Sequence, residues 1–591
     1  MAGLPGRVDL ALLRAFEALP GRLQRAIARP TAGLFERLVR RFPTSAWMPQ
    51  LAVSLREAAG PPQRAAELAR RLGTSPRTAS LARRQLARLA LRYGLADSAL
   101  AILATIPEAR QPEFEMVRAR QAVHDGRYAD AKGHAETALR GGHQDAARYL
   151  EMIAARVAVL QPGWTPDLGA ADGALTALRG TAVPGRVLHI VSRALPYHEV
   201  GYTLRSQSVG EAQAAAGLEP HVATLGNFPA NVGVPDAPLD WDVRGLPYHR
   251  VAPAFVDNGF HDRLVTASAR GLAELADRIR PAVLHPASNH LQAQVALAAA
   301  APLGIPVVYE VRGFIEETWA SHPERDEDAA RASDRYRAVR DTETRVMAAS
   351  DALVTLSETM RLEIIERGCA AENVVVIPNA VDVERFRPLA RDDGLAASLG
   401  IGRDEPVVGY ISTFTAYEGI RYLLEAAAAL RGRGRRFRLL LVGDGLDRDP
   451  LVQTGRRLDL DDGTLIMPGR VPNDEVARYY SVIDVFVVPR TADRVSALVT
   501  PLKPFEAMAM ERALVVSDVP PLREIVTPGE TGLLFRREDA DDLAAVLEGL
   551  LDDEALRHRL GRQAREWVAA ERTWAQNGAR YRALYERLGA A

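Results

Sequence analysis

From residue 186 onward the chain repeats one pattern: a short run rich in Val, Leu and Ile, a turn, then a longer stretch with helical spacing. The first series of runs is 187–192 (VLHIVS), 221–225 (HVATL), 282–285 (AVLH), 307–311 (VVYEV), 352–356 (ALVTL) and 374–377 (VVVI). The second is 407–412 (VVGYIS), 438–442 (RLLLV), 464–467 (TLIM), 484–489 (DVFVVP) and 513–517 (ALVVS). Strands this continuously apolar must be covered on both faces, and the covering elements are the helices between them. The pattern predicts parallel sheets sandwiched by helices. The pause near 380–405 divides it into two doubly wound domains. Ligands of such sheets sit at the carboxyl ends of the strands, and two facing sheets put that place in the cleft between them.

At roughly 100–200 residues per domain, 591 residues predict three or four domains. Hydrophobic residues at 47% and charged ones at 25% supply several cores and exclude long disorder. A net charge of −1 gives no global field for nucleic acid, so none is expected as a partner. The lone Cys369 forbids a disulfide within the chain. No uncharged apolar run is long enough to span a bilayer, and residues 1–46 lack the apolar core of a secretory signal. The expected location is the cytoplasm, with the inner face of the plasma membrane as a peripheral option.

Before residue 180 the text is rich in Ala, Arg and Leu and holds no β-type run. Residues 1–160 read as an all-helical module. Leu34, Phe35, Leu38, Val39 and Phe42 share one helical face, flanked by Arg37, Arg40 and Arg41. That face either lies on anionic lipid or docks on its own domain. Segments 91–100 and 122–131 look alike, each with a Gly at a helix end and small Ala on the next packing face. They resemble tetratricopeptide-like hairpins; a plain helical bundle is the alternative. The module is a candidate platform for a protein partner or a membrane surface. Residues 161–185, dense in Pro and Gly, read as a linker.

Several motifs sit at strand ends. Pro196–Thr203 (PYHEVGYT) follows the first strand and opens a helix. Glycine there admits close approach of backbone to a ligand, and the helix start favours negative charge. Pro378–Asp382 (PNAVD) closes the first series. Leu441–Gly445 (LVGDG), Ile466–Val471 (IMPGRV) and Pro489-Arg490 close strands of the second. Thr500–Ala509 (TPLKPFEAMA) starts a helix, and Ser517–Ile525 and Gly529–Leu534 follow the last run.

In this order and spacing, residues 186–590 resemble family 4 of the retaining glycosyltransferases, and the Gly201-Tyr202 loop, Tyr309–Phe314, Tyr417–Gly419 and Thr500–Glu506 resemble its bacterial exopolysaccharide and capsule branch. The resemblance implies a GT-B fold. Two facing Rossmann-like domains, 186–385 for the acceptor and 386–570 for the nucleotide sugar, would follow the all-α helical-repeat domain. Residues 571–591, with Trp574, Tyr581 and Tyr585, would form the helix that crosses back. It implies a nucleotide-diphosphate sugar as donor, a glycan or lipid-linked acceptor, and no cofactor. No Asp-x-Asp pair follows a strand and no Cys/His cluster occurs, so no metal is expected.

Carried over residue by residue, Glu506 would accept from the ribose. Thr500 and Pro501 would open the helix facing the diphosphate, and Thr413, Gly443, Arg470 and Val471 would complete the donor side. Gly201, Tyr202, Arg205 and Glu316 would face the acceptor. The chain departs from the family where relatives place an Arg and a Lys after the first strand of the second domain: Thr413 and Glu418 stand there. Leu498 likewise replaces the first of the family's paired glutamates. The positive charge for the leaving diphosphate is therefore assigned to Lys503 and Arg490. Arg312 is a third catalytic candidate, or else an ion-pair partner of Glu310 or Glu316. The expected reaction is retaining glycosyl transfer in surface polysaccharide or glycoconjugate synthesis. The alternatives are a non-catalytic scaffold and an epimerase or phosphorylase on the same architecture.

Overall fold

The computed structural model describes residues 87, 96–106, 111–251, 259–322 and 325–591. The chain divides into two compact units, one of residues 1–157 with 324–337, the other of residues 158–323 with 338–591. In the first unit, helices Gln111–His124 and Tyr128–Arg140 form a hairpin turned at Gly126, whose φ is 77°. Ala119, Ala122, Ala131 and Ala135, all 0% exposed, let the two backbones approach closely. The amphipathic face at 34–42 and the first half of the first repeat-like segment lie outside the described residues.

Among the described residues, the second unit holds fourteen strands in two lobes. The first lobe contains β1 (Arg186–Val191), β2 (Glu219–Thr224), β3 (Asp240–Val243), β4 (Leu246–Arg250), β5 (Val283–Pro286), β6 (Val308–Val311), β7 (Ala352–Thr355) and β8 (Val374–Val376). The second contains β9 (Val407–Ile411), β10 (Arg438–Val442), β11 (Leu465–Gly469), β12 (Val485–Val488), β13 (Ala513–Ser517) and β14 (Leu533–Phe535). The sheet orders are β3-β4-β2-β1-β5, β6-β7-β8 and β11-β10-β9-β12-β13-β14. Bridges Leu284–Val307 and Ala287–Glu310 join the first two. Every pairing is parallel except β3 with β4. Each run expected as a strand is one. The β3–β4 hairpin and the edge strand β14 were not among them.

Residues 161–185, expected as a linker, include helix Ala170–Ala177, which buries Leu175.

The chain passes between the lobes at two adjacent places, where Val381 N–H donates to Arg572 C=O at 2.9 Å and Val381 bridges to Thr573. Helix Trp574–Arg587, capped by Thr573 and Gln576, returns to the first lobe and lies on helix Gly201–Ala215. A Cβ on Gly578 would fall 2.2 Å from Ala212 O, so only glycine permits that approach. Tyr581 and Tyr585 are fully buried there. Tyr585 Oη lies 2.5 Å from His285 Nδ1 and accepts from Gln213 Nε2 at 2.9 Å, while Gln213 Oε1 lies 2.7 Å from His189 Nε2. Buried polar groups with partners of this kind fix one packing of the helix.

Candidate active site

The carboxyl ends of β1, β6, β9, β10 and β12 meet across the cleft between the lobes. Three contacts show how close the walls stand. Asn379 Nδ2 donates to Thr500 O at 2.8 Å, and Arg470 Nη2 donates to Glu199 O at 3.1 Å. A Cβ on Gly201 would lie 3.5 Å from Leu502 Cδ1. On the far rim, Glu524 accepts from Glu358 N–H at 2.9 Å and Thr359 N–H at 2.6 Å, at the start of helix Glu358–Glu366. Arg494 reaches Glu317 at 3.6 Å and also pairs with Glu363.

The floor of the second lobe is backbone against backbone. Gly443 has a φ of 144°, and a Cβ there would strike Ser412 O at 1.8 Å. Phe414 N–H donates to Asp444 O at 2.9 Å, locking the loops after β9 and β10 together. Beside them, helix Lys503–Ala509 presents Glu506. Its carboxylate accepts from Tyr480 Oη at 2.9 Å and from Lys503 Nζ at 3.1 Å. Thr500 is 4% exposed, and its Oγ1 is a buried oxygen with no hydrogen-bond partner. Such orphans are uncommon in a folded protein and suit a place that a polar ligand completes.

Two sequence profiles match this pair of lobes, "Glycosyl transferase 4-like domain" over residues 200–380 and "Glycosyl transferases group 1" over 393–567. The fold is that of a GT-B glycosyltransferase of the family 4 type. Among solved GT-B structures, sucrose-phosphate synthase from Thermosynechococcus elongatus superposes with a TM-score of 0.57 at 22% identity, covering 68% of this chain and 99% of that one. Anabaena HepE in complex with UDP-glucose gives 0.53 at 15%, covering 68% and 99%. Among curated proteins, the D-inositol 3-phosphate glycosyltransferase of Nocardia farcinica is 29% identical over 230 residues, 38% of this chain and 49% of that protein. The chain spans about half the length of the curated relatives it matches.

Within this GT-B cleft the expected residues separate into two groups. Lys503, Glu506, Thr500 and Pro501 stand together at one helix start, with Gly443 and the exposed Thr413 at the neighbouring strand ends. Gly201 stands on the opposite wall, and Tyr202 behind it donates from Oη to Ala287 O at 3.2 Å. Arg470 is exposed and reaches across the cleft, with Val471 beside it.

Four of the expected residues have their polar groups engaged inside the protein. Arg490 is buried, with its Nη2 2.8 Å from Glu418 Oε1 and its Nη1 donating to Val499 O at 2.7 Å. Burial opposes its charge, but the Glu418 carboxylate more than offsets this and holds the guanidinium above its ordinary pKa. Glu418 thus claims this arginine. Arg312 is the ion-pair partner of Glu310, at 3.1 Å, and also donates to Ser206 Oγ at 2.7 Å. Arg205 gives its donors to Glu310, Pro378 O, Asn379 Oδ1 and Ile377 O. Glu316 is sealed against Arg367 Nη1 at 2.6 Å. Guanidinium donors spent inside the protein are not available to a ligand. Burial works against the Glu310 carboxylate, yet Arg312, Arg205 and His285 hold it well below the usual range.

Sequence reasoning missed Tyr480, which reads only as part of a helix, and Arg193, which stands just before the first motif.

Proposed function

We propose that this chain transfers a sugar from a nucleotide-diphosphate sugar to an acceptor hydroxyl, with retention at the anomeric carbon and without a metal. The cluster of Glu506, Tyr480, Lys503 and the orphan Thr500 hydroxyl carries the reading. Glu506 accepts from the ribose hydroxyls, and Tyr480 keeps its carboxylate aimed. The arriving ribose replaces Lys503 at Glu506, which frees the ammonium for the diphosphate. The bond from the anomeric carbon to the phosphate oxygen breaks, and the acceptor oxygen bonds from the same face. The acceptor proton passes to the leaving phosphate. Closing the cleft keeps out water, which would otherwise be the acceptor.

The neighbour solved with UDP-glucose and the relative named for an inositol phosphate acceptor both suit this class of reaction. The acceptor belongs to glycan or lipid-linked chemistry in surface polysaccharide or glycoconjugate synthesis. The working location is the cytoplasmic side of the membrane, with residues 1–160 as the docking module. Among the described residues, no helix is long and apolar enough to cross a membrane.

The test is nucleotide release from UDP-glucose, GDP-mannose and ADP-glucose, paired with calorimetry on the matching nucleoside diphosphates. Lys503→Ala should lower turnover by about 100-fold or more, the size of effect seen when one group stabilising transition-state charge is removed. Glu506→Ala should act chiefly on KM and on diphosphate affinity. If no nucleoside diphosphate binds, the transferase reading fails and the scaffold alternative stands.

A further inference from the structure

Several arginines beside the cleft have carboxylate partners: Arg205 and Arg312 share Glu310, Arg490 has Glu418, and Arg494 has Glu317 and Glu363. Two others at the cleft differ. Arg193, just after β1, and Arg470, just after β11, are both exposed and have no carboxylate partner among the described residues. Both converge on the loop 196–201. Arg193 Nη1 lies 3.2 Å from His198 Nε2, and Arg470 Nη2 donates to the carbonyl of the next residue, Glu199.

His198 completes the arrangement. Its Nε2 accepts from Arg193, so the ring proton is on Nδ1, and Nδ1 is buried without a partner. Burial and then the two arginines keep the ring below its ordinary pKa, hence neutral and a donor through Nδ1. The loop then enters the fifteen-residue helix Gly201–Ala215, whose preceding residue, Val200, has no side-chain oxygen to offer the first N–H groups. Two cations without carboxylate partners and one unpartnered imidazole nitrogen thus gather on the loop that enters the positive end of this helix. The one acid on the loop, Glu199, is exposed and meets Arg470 through its carbonyl rather than its carboxylate.

We propose that Arg193, His198 and Arg470 form a subsite for a phosphate group carried by the acceptor, an assignment that rests on the glycosyl-transfer reading. A doubly charged anion matches two guanidinium groups, which grip phosphate oxygens in paired hydrogen bonds. The subsite is built mainly on the first lobe, opposite the Lys503 and Glu506 side where the donor is placed. Only Arg470 comes from the second lobe. The subsite is therefore complete only when the lobes are together, and a phosphorylated acceptor would favour closure.

The experiment titrates inorganic phosphate into the full chain at fixed ionic strength, with and without saturating UDP or whichever nucleoside diphosphate binds. Wild type, Arg193→Gln and Arg470→Gln are compared. Both side chains are exposed, so unchanged thermal melting checks that the variants fold. Expected is phosphate binding that persists with the nucleotide bound and weakens by about fivefold or more in each variant, as for loss of a charge-assisted contact. In Arg193→Gln, which stands on the first lobe, nucleotide affinity should move by less than about twofold, because the donor is placed on the second. Phosphate displaced competitively by the nucleotide would overturn the proposal, since the same charges would then serve the donor. An affinity indifferent to both variants would also overturn it. A response to both variants in a protein that binds no nucleoside diphosphate would defeat the transferase reading, leaving an anion site without an acceptor.

Discussion

Glu418 and Arg490 are each less than a tenth exposed, and each is the other's ionic partner. Tyr410 also donates to Glu418. Removing one partner strands the other, so Glu418→Ala should destabilise by about 3–5 kcal/mol, read as a lower urea midpoint. Glu418→Gln, which keeps a hydrogen-bond acceptor, should cost less. A second residue-scale effect lies at His189. Burial first, then His285, push it down to about 3, against about 6.5 in an unfolded chain. Below pH 6.5 the unfolded chain takes up a proton that the native chain refuses, so stability falls as pH drops toward 3. The loss from this group is ~1.4 kcal/mol per pH unit, or about 2 kcal/mol at pH 5. Urea midpoints measured from pH 7 to pH 5 should fall less steeply in His189→Asn. At this scale the sequence shows which residue types occupy the strand ends but not which way they turn. Lys503 and Glu506 sit on one helical turn, so their meeting is written in their spacing. The pairing of Arg490 with Glu418, 72 positions away, depends on two loops folding back together.

At the scale of elements, buried strands announce themselves because both faces are covered. The β3–β4 hairpin was hidden for the opposite reason. It is a half-exposed edge with Pro247 within it, and its turn is Arg244-Gly245, with φ of 55° and 81°. That turn type normally advertises itself as Asn-Gly or Asp-Gly. Helix Ala170–Ala177 was masked by flanking Pro and Gly that suggest a tether. The crossing helix was legible from its aromatic residues, but its dependence on Gly578 was not. Gly578→Ala drives a methyl into the backbone of Ala212 and should cost about 1–3 kcal/mol. Limited proteolysis should then cut preferentially around Trp574–Arg587.

For the two-lobed unit as a whole, Glu524 and Arg494 fasten the rim opposite the Gly201 loop. Replacing both, by Glu524→Gln and Arg494→Gln, should let the lobes separate. The only native cysteine, Cys369, is buried, so labels can be placed at Asp277→Cys and Glu554→Cys, both exposed. Distances between them should lengthen and broaden in the double variant, and a ligand bridging both walls should narrow them again. An unchanged distribution would mean that the rim contacts do not hold the cleft. The two chain passages at Val381 and Thr573 govern what kind of motion this is. Side by side and joined by backbone hydrogen bonding, they act as an axle rather than a leash. An axle leaves a single rotational degree of freedom, so the walls can part and return without losing their alignment.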